Sequence, residues 1–356
     1  MQGFFSVFSI SLVQSGLRLA TPIILAALGG AICNRAGVLN FALEGKMLLG
    51  AFLGILGAYY FKNTYVGVGV AMLAGAALGA FFAFVYLRYN VDLIILAIAI
   101  NMLILELTVY FMRILFGQVG TWTDPSIQKL PDINIPVIKN IPVLGEILSG
   151  HNLIVYLSWL SVIAAYIVLF HTKFGRHVRA VGENQAAAET VGINSSRVKL
   201  FALIISGMLA ALGGAFLSVG HLTMFTRNMS NGRGWIGITA ALFAMNHPIG
   251  TLFTGLFFGF ADAFAIRLQN VTDLPPNLIQ ILPHFATLLV LVLIALREKI
   301  TRALVRSRSV ARIRAGLAGR KAVAREFVSG LPLDTMPGSR EDGMEPAIEE
   351  DPISGG

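Results

Sequence analysis

The chain has 356 residues, of which 56% are hydrophobic and 13% charged, with a net charge of +8 and a mean hydropathy of +0.74. Soluble domains carry roughly 25% charged residues, so a soluble globular fold is excluded. Apolar stretches of about 20 residues recur along the first 300 positions, each long enough to cross about 30 Å of hydrocarbon, which makes this an all-α polytopic membrane protein.

Residues 4–33 are apolar apart from Gln14 and Arg18 and end at Asn34-Arg35. About thirty helical residues reach about 45 Å, so one tilted span is expected. No small-residue cleavage site follows it, and no cleavable signal is expected. Further spans are expected at 38–60, 64–87 and 91–116. Residues 117–151 are rich in proline (Pro125, Pro131, Pro136, Pro142), with only Lys129 and Lys139 as basic residues. Spans at 152–172, 199–219, 249–267 and 277–296 complete the series. Between the first two of these lies a polar, helix-prone insert, 173–199, carrying Lys173, Arg176, Arg179, Arg197 and Lys199 against Glu183 and Glu189.

Loop charges give the orientation. Arg35, Arg88 with Asp92, the insert and the tail from Arg297 read as cytoplasmic, and 117–151 as outside. This placement explains the net positive charge without a nucleic-acid partner. The short run from Trp235 to Met245 must then cross, because otherwise the basic tail would end outside. Its 11 residues cover only about 17 Å. A short or broken helix is tolerated where it lines a protein-buried or aqueous cavity. About nine transmembrane helices are expected, with the N-terminus outside and the C-terminus inside.

LAALGGA occurs at Leu25–Ala31 and again at Leu209–Ala215, on spans running in opposite directions. Two readings stand, an inverted repeat and coincidence in a chain rich in Ala, Leu and Gly. Glycine pairs four apart (Gly50/Gly54, Gly75/Gly79, Gly255/Gly259) read as close helix packing. The domain reading is a transmembrane domain at 1–296, a basic cytoplasmic segment at 297–329 and an acidic, disordered tail at 330–356. The basic segment either lies on anionic headgroups or anchors topology.

Chemistry is sparse. The one cysteine, Cys33, excludes an intramolecular disulfide and a cysteine-based metal cluster. The nearest approach to a phosphate loop is Gly45-Lys46-Met47, which lacks Ser or Thr after the lysine and has Asn40 in place of the first glycine. There is no HExxH spacing and no GxSxG elbow, so neither an enzyme nor a metal or cofactor site is expected. Polar residues within spans remain. Glu106, with Asn101 about 140° away around the helix, is either a functional site or a structural hydrogen bond. Asp262 and His284 are weaker candidates of the same kind. Asn40 and Glu44, four apart on one helix face, either point into a pathway or cap and solvate the cytoplasmic end. Asn228, Asn231 and Arg233 precede the short helix on the outer side, where they meet a solute or docking protein or cap that helix.

Two stretches carry a resemblance: RLATPIILAALGGAICNRAGVLNFALEGKMLLGAF (Arg18–Phe52) and GRHVRAVGENQAAAETVGIN (Gly175–Asn194). They resemble the permease subunits of bacterial ABC importers, a family handling simple sugars such as ribose, branched-chain amino acids and nucleosides. The forms NRAGVLNFALEG and RAVGEN-x-x-AAE-x-x-GIN are most similar to the nucleoside-uptake branch, and Asn228–Gly259 fits the same branch. The resemblance spans about residues 15–296. It implies an inner-membrane permease that moves a nucleoside or similar small polar solute, with ATP hydrolysed by a separate ATPase subunit. A second, related permease and a solute-binding lipoprotein are implied partners. The insert would be the coupling helix docked on the ATPase, through Gly182, Glu183, Asn184, Ala187, Ala188, Glu189 and Gly192. Ala186 stands where the general coupling motif has Glu, and Glu183 or Glu189 would substitute for it. Rival readings are a sugar or branched-chain amino acid permease, an ion-coupled transporter with Glu106 as its proton site, and a membrane scaffold without transport.

Overall fold

In a chain this apolar, Asn and Asp mark where helices begin. The computed structural model describes residues 10–133 and 149–271, with Val292 alone beyond them. The expected span at 277–296, His284, the basic segment 297–329 and the tail 330–356 lie outside the described residues. The helices are α1 Ile10–Arg35, α2 Leu43–Phe61, α3 Thr64–Tyr89, α4 Leu93–Phe116, α5 Leu153–His171, α6 Lys173–Glu183, α7 Gln185–Thr190, α8 Ser195–Ala215, α9 Arg233–Phe243 and α10 Pro248–Val271. Asn63, Asp92, Asn152, Thr172, Asn184 and Asn194 each accept a first-turn backbone N–H of the helix they precede. They satisfy donors that apolar side chains cannot.

Among the described residues, six helices are long and apolar enough to cross a membrane: α1, α3, α4, α5, α8 with its π-helical extension Phe216–Leu222, and α10. The 19-residue α2 lies among them and carries Glu44 and Lys46 in its first turn. It starts five residues later than the expected 38–60, because Gly37 takes a left-handed φ of 74° and the chain turns through residues 36–42 before it can coil.

Helix α8 is the centre of the bundle, and its small residues let three neighbours approach backbone to backbone. It runs antiparallel to α1, where a Cβ on Gly29 would lie 2.9 Å from the Ser206 carbonyl oxygen and one on Gly213 3.1 Å from that of Pro22. It runs parallel to α2, with Gly50 against Ala211 and Gly54 against Ala215, and antiparallel to α3, with Gly75 against Gly207 and Gly79 against Leu203. Gly255 and Gly259 of α10 press on Ile24 and Ala20 of α1. The glycine pairs are therefore packing residues. Close backbone approach also accounts for Gly29, Gly213 and Gly214 in the two LAALGGA copies on α1 and α8.

Burial separates the inner helices from the outer ones. In the most apolar window of α1, 89% of residues are buried, against 28% for α4. The outer face of α4 presents Ile94, Ile98, Met102 and Phe111, as expected of a helix facing lipid or another membrane subunit. At the end of the bundle away from α6 and α7, short strands tie the connections together. Strand β1 (Thr121–Trp122) pairs with β4 (Phe225–Thr226), and β2 (Asp132–Ile133) with β3 (His151–Asn152), both antiparallel. Trp122 stacks on Phe116 with centroids 3.8 Å apart.

Candidate functional site

After β4 the chain does not coil at once. It descends through residues 227–232 with left-handed turns at Asn228 and Asn231, and helix α9 starts only at Arg233, inside the bundle. Its first amides have no capping side chain from their own segment. The carboxylate of Glu44, on α2, supplies the cap: Gly232 N–H donates to Oε1 at 2.8 Å and Gly234 N–H to Oε2 at 2.7 Å. An anion at this position meets both the unpaired donors and the positive end of the helix dipole. Glycine is required at 234, where a Cβ would lie 2.6 Å from the Glu44 backbone.

A cavity of about 340 Å³ opens beside this junction, lined by Glu44, Gly45, Leu48, Asn101, Met102, Leu105, Asn228, Gly232 and Trp235. Asn101 braces its wall, accepting from Gly45 N–H at 2.8 Å and donating to the Phe41 carbonyl at 2.9 Å. Asn101 lies about 12 Å along α4 from its start, at 1.5 Å per residue. The start of α9 therefore lies beside a cavity walled by α2 and α4. The segment before α9, residues 227–232, is a run of turns and not helix, so α9 begins only at Arg233, beside the cavity.

The pathway candidates separate. Glu44, Asn101 and Asn228 meet at the cavity. Asn231 is exposed in the turn just before α9, its N–H bonded to the Asn228 carbonyl. Asn40 does not line the cavity. It is buried in the turn before α2, donating to Ser206 Oγ at 2.9 Å and accepting from Ala42 N–H, so it does not share a helix face with Glu44. Glu106 points outward on α4 and pairs with Arg227 at 3.1 Å, both side chains more than half exposed. Asp262 pairs with Arg233 at 3.5 Å, each side chain 17% exposed. Lys46, in the nearest approach to a phosphate loop, is fully buried with Nζ 4.8 Å from the Phe82 ring centroid, where no nucleotide reaches it. Trp235 escaped the sequence reading. No local signal marked it: Ser230 and Asn231 just before the helix offered ordinary caps, whereas Glu44 of another helix takes the amides of Gly232 and Gly234.

The insert folds as two helices, α6 and α7, bent at Asn184. Asn184 caps α7 through Ala187 N–H at 3.0 Å, and Gly192 ends it with φ 86°, its N–H bonded to the Glu189 carbonyl. Ala188 is buried against the insert's own framework, so it presents no surface to a partner. Glu189 accepts from the Ser195 hydroxyl and, at 2.9 Å, from Gln185 Nε2. Gln185 in turn accepts from Lys199 Nζ at 2.7 Å. Exposed residues of the insert include Glu183, Ala186, Ala187, Glu189, Thr190 and Val191, the last 75% exposed. Gly182 packs on the C-terminus of α1, where a Cβ would lie 2.1 Å from the Arg35 carbonyl oxygen.

The Ser195 hydroxyl, then Gln185, holds the Glu189 carboxyl below its ordinary value of 4.5. A carboxylate depressed by folding stabilises the fold above its unfolded pKa, and that contribution disappears as pH falls through the lower, folded value. Ser195→Ala should therefore move the Glu189 titration back up toward 4.5, and the share of α7 order that is lost on acidification through this group should shrink. Carboxyl chemical shifts of Glu189 across an acid titration would show it; an unmoved titration would count against the hydrogen bond.

The profile of the family described as "Branched-chain amino acid transport system / permease component" matches residues 12–295. The guanosine ABC transporter permease protein NupQ of Bacillus subtilis is 34% identical over 292 residues, covering 79% of this chain and 90% of that protein. The nucleoside ABC transporter permease protein NupC of Lactococcus lactis subsp. cremoris is 30% identical over 304 residues, covering 79% and 91%. The glucose ABC transporter permease protein TsgB13 of Haloferax volcanii is 29% identical over 287 residues, covering 74% and 71%.

Proposed function

The chain belongs to the branched-chain amino acid transport system permease family and is a multi-pass membrane permease of the ABC transporter class, and from that premise we propose that its cavity carries a nucleoside into the cell. The observation that carries this reading is the cavity at the broken span. Its volume falls in the range of about 300–1,000 Å³ typical of small-molecule sites, which combine apolar walls with a few placed polar groups. Trp235 offers a ring face to a planar base, while Asn101, Asn228 and the remaining lone pairs of Glu44 suit ribose hydroxyls and base edges. The relatives named for guanosine and nucleosides, each at least 30% identical, support the same solute class. TsgB13 favours a second reading, a hexose, whose ring would also stack on Trp235.

In this reading the chain crosses the membrane about nine times, α9 being the inner half of a broken span and 277–296 the last. Residues 1–296 form the permease domain, 297–329 a basic cytoplasmic segment and 330–356 an acidic tail. It works with an ATPase subunit, a second permease and a solute-binding lipoprotein. Chemistry stays with the ATPase, and the permease has two openings whose populations shift as the ATPase binds one of them better. The insert docks through its exposed face. Glu183 is the carboxylate available there, since Glu189 is engaged by Ser195 and Gln185.

The deciding experiment is uptake of labelled guanosine by cells lacking and regaining this chain, with excess adenosine, glucose or leucine as competitors. ATP-dependent uptake blocked by adenosine alone is expected. Uptake that collapses with the proton gradient while ATP is unchanged would sink the reading, and blockade by glucose alone would select the hexose. The docking face has its own test. Val191→Asp should lower recovery of the ATPase with the permease by about tenfold, the scale of losing one buried valine at a contact, with the melting temperature of the permease unchanged. Full recovery of the ATPase would remove Val191 from the contact.

A further inference from the structure

One residue touches both the insert and the half-helix at the cavity. The backbone of Arg35, at the end of α1, is the seat on which Gly182 of α6 rests, with no room for a side chain between them. Its guanidinium reaches the other way. Nη2 donates to the Met245 carbonyl and Nε to the Asn246 carbonyl, each at 3.1 Å, and neighbouring Asn34 donates to Asn246 Oδ1 at 2.8 Å. Met245 and Asn246 close the C-terminal end of α9 with consecutive left-handed backbones, φ 50° and 56°. That conformation is costly for Met and turns their carbonyls toward Arg35. The cation sits at the negative end of the α9 dipole as the Glu44 carboxylate sits at the positive end. A cleft of about 190 Å³ runs along the junction, lined by Asn34, Arg35, Arg179, Gly182, Glu183, Met245 and Asn246.

We propose that Arg35 is a positioning residue that passes movement of the cytoplasmic insert to α9, and so to the cavity wall, by holding Gly182 with its backbone and the Met245 and Asn246 carbonyls with its guanidinium fork. The proposal rests on the coupling role given to the insert above. Helix α9 is 11 residues long and is fixed at both ends by side chains from other helices. Displacement at its C-terminus therefore reaches Trp235 and the capped Gly232 as rigid-body motion. Arg35 touches no solute, and its effect is on when the cavity changes shape.

The test uses the complete transporter reconstituted in lipid nanodiscs, with Leu242→Cys as an exposed maleimide reporter on α9; Cys33 is fully buried. Labelling rates are compared without nucleotide and in the vanadate-trapped state. With Arg35 present, the two rates differ. In Arg35→Gln the difference shrinks by about tenfold, the scale of losing a charge-assisted contact to two carbonyls, while the ATPase remains bound and hydrolyses ATP. Arg35→Lys keeps the charge without the fork and falls between, so it decides the matter if the Gln variant does not assemble. Labelling that is independent of nucleotide in the unaltered complex, or a full difference in Arg35→Lys and Arg35→Gln, overturns the clamp while leaving ATP-driven uptake standing. An ATPase that does not bind the unaltered chain overturns the coupling role of the insert itself, and the clamp with it.

Discussion

Glu44→Ala is expected to abolish most uptake and to lower the melting temperature of the purified permease. The substitution removes two hydrogen bonds from backbone amides to a carboxylate, at 2.8 and 2.7 Å, each of a kind worth about 1.5–3 kcal/mol. Gly234 is buried, so its N–H loses its partner with little water to replace it, whereas Gly232 can be rehydrated from the cavity. A net loss of about 2–4 kcal/mol for the α9 docked state follows, or roughly a thirtyfold to thousandfold shift in its population. Glu44→Gln should fall between, because an amide offers one acceptor oxygen and turns an NH₂ toward the other donor. Transport by the Ala variant at the unaltered rate would show that the carboxylate does not hold α9.

The second large effect lies in the packing core. Gly214 of α8 leaves no room for a side chain, since its Cβ would sit 1.8 Å from the Met47 carbonyl oxygen and 2.7 Å from the Ala51 amide nitrogen. Both atoms belong to the α2 backbone, so no rotamer change can relieve the clash, and the two helices must move apart. Overpacking ordinarily costs about 1–3 kcal/mol, and a backbone clash belongs at or beyond the upper end. Gly214→Ala should therefore sharply reduce the folded protein extractable in mild detergent. Gly69→Ala is the internal contrast. Nothing lies within 4 Å of that Cβ position, and α3 should gain about 1 kcal/mol from the better helix former. Equal melting temperatures for the two variants would refute the packing account.

Much of the fold was legible because its signals are local. Apolar runs set the spans, and a polar residue such as Asn63 or Asp92 set a helix start through its own next turn. The glycine pairs marked the faces on which helices meet. The insert, too, stood out by charge against its surroundings, and Gly192 by its place at a helix end.

The sequence could not say which polar residue faces what. Asn40 and Glu44 look alike as polar positions beside one turn, yet one is buried on Ser206 and the other caps a helix start 188 residues away. Glu106 reads as an ionisable group in mid-span, but it faces outward, more than half exposed, and pairs with Arg227. Spans that are apolar all round carry little information about direction, because every face is compatible with lipid or with protein. Length, caps, charge asymmetry and close-packing glycines are thus written along the chain. The start of α9 inside the bundle, its capture between Glu44 and Arg35, and the cavity beside Trp235 exist only once helices distant in sequence pack together, because each depends on a donor and an acceptor supplied by different helices.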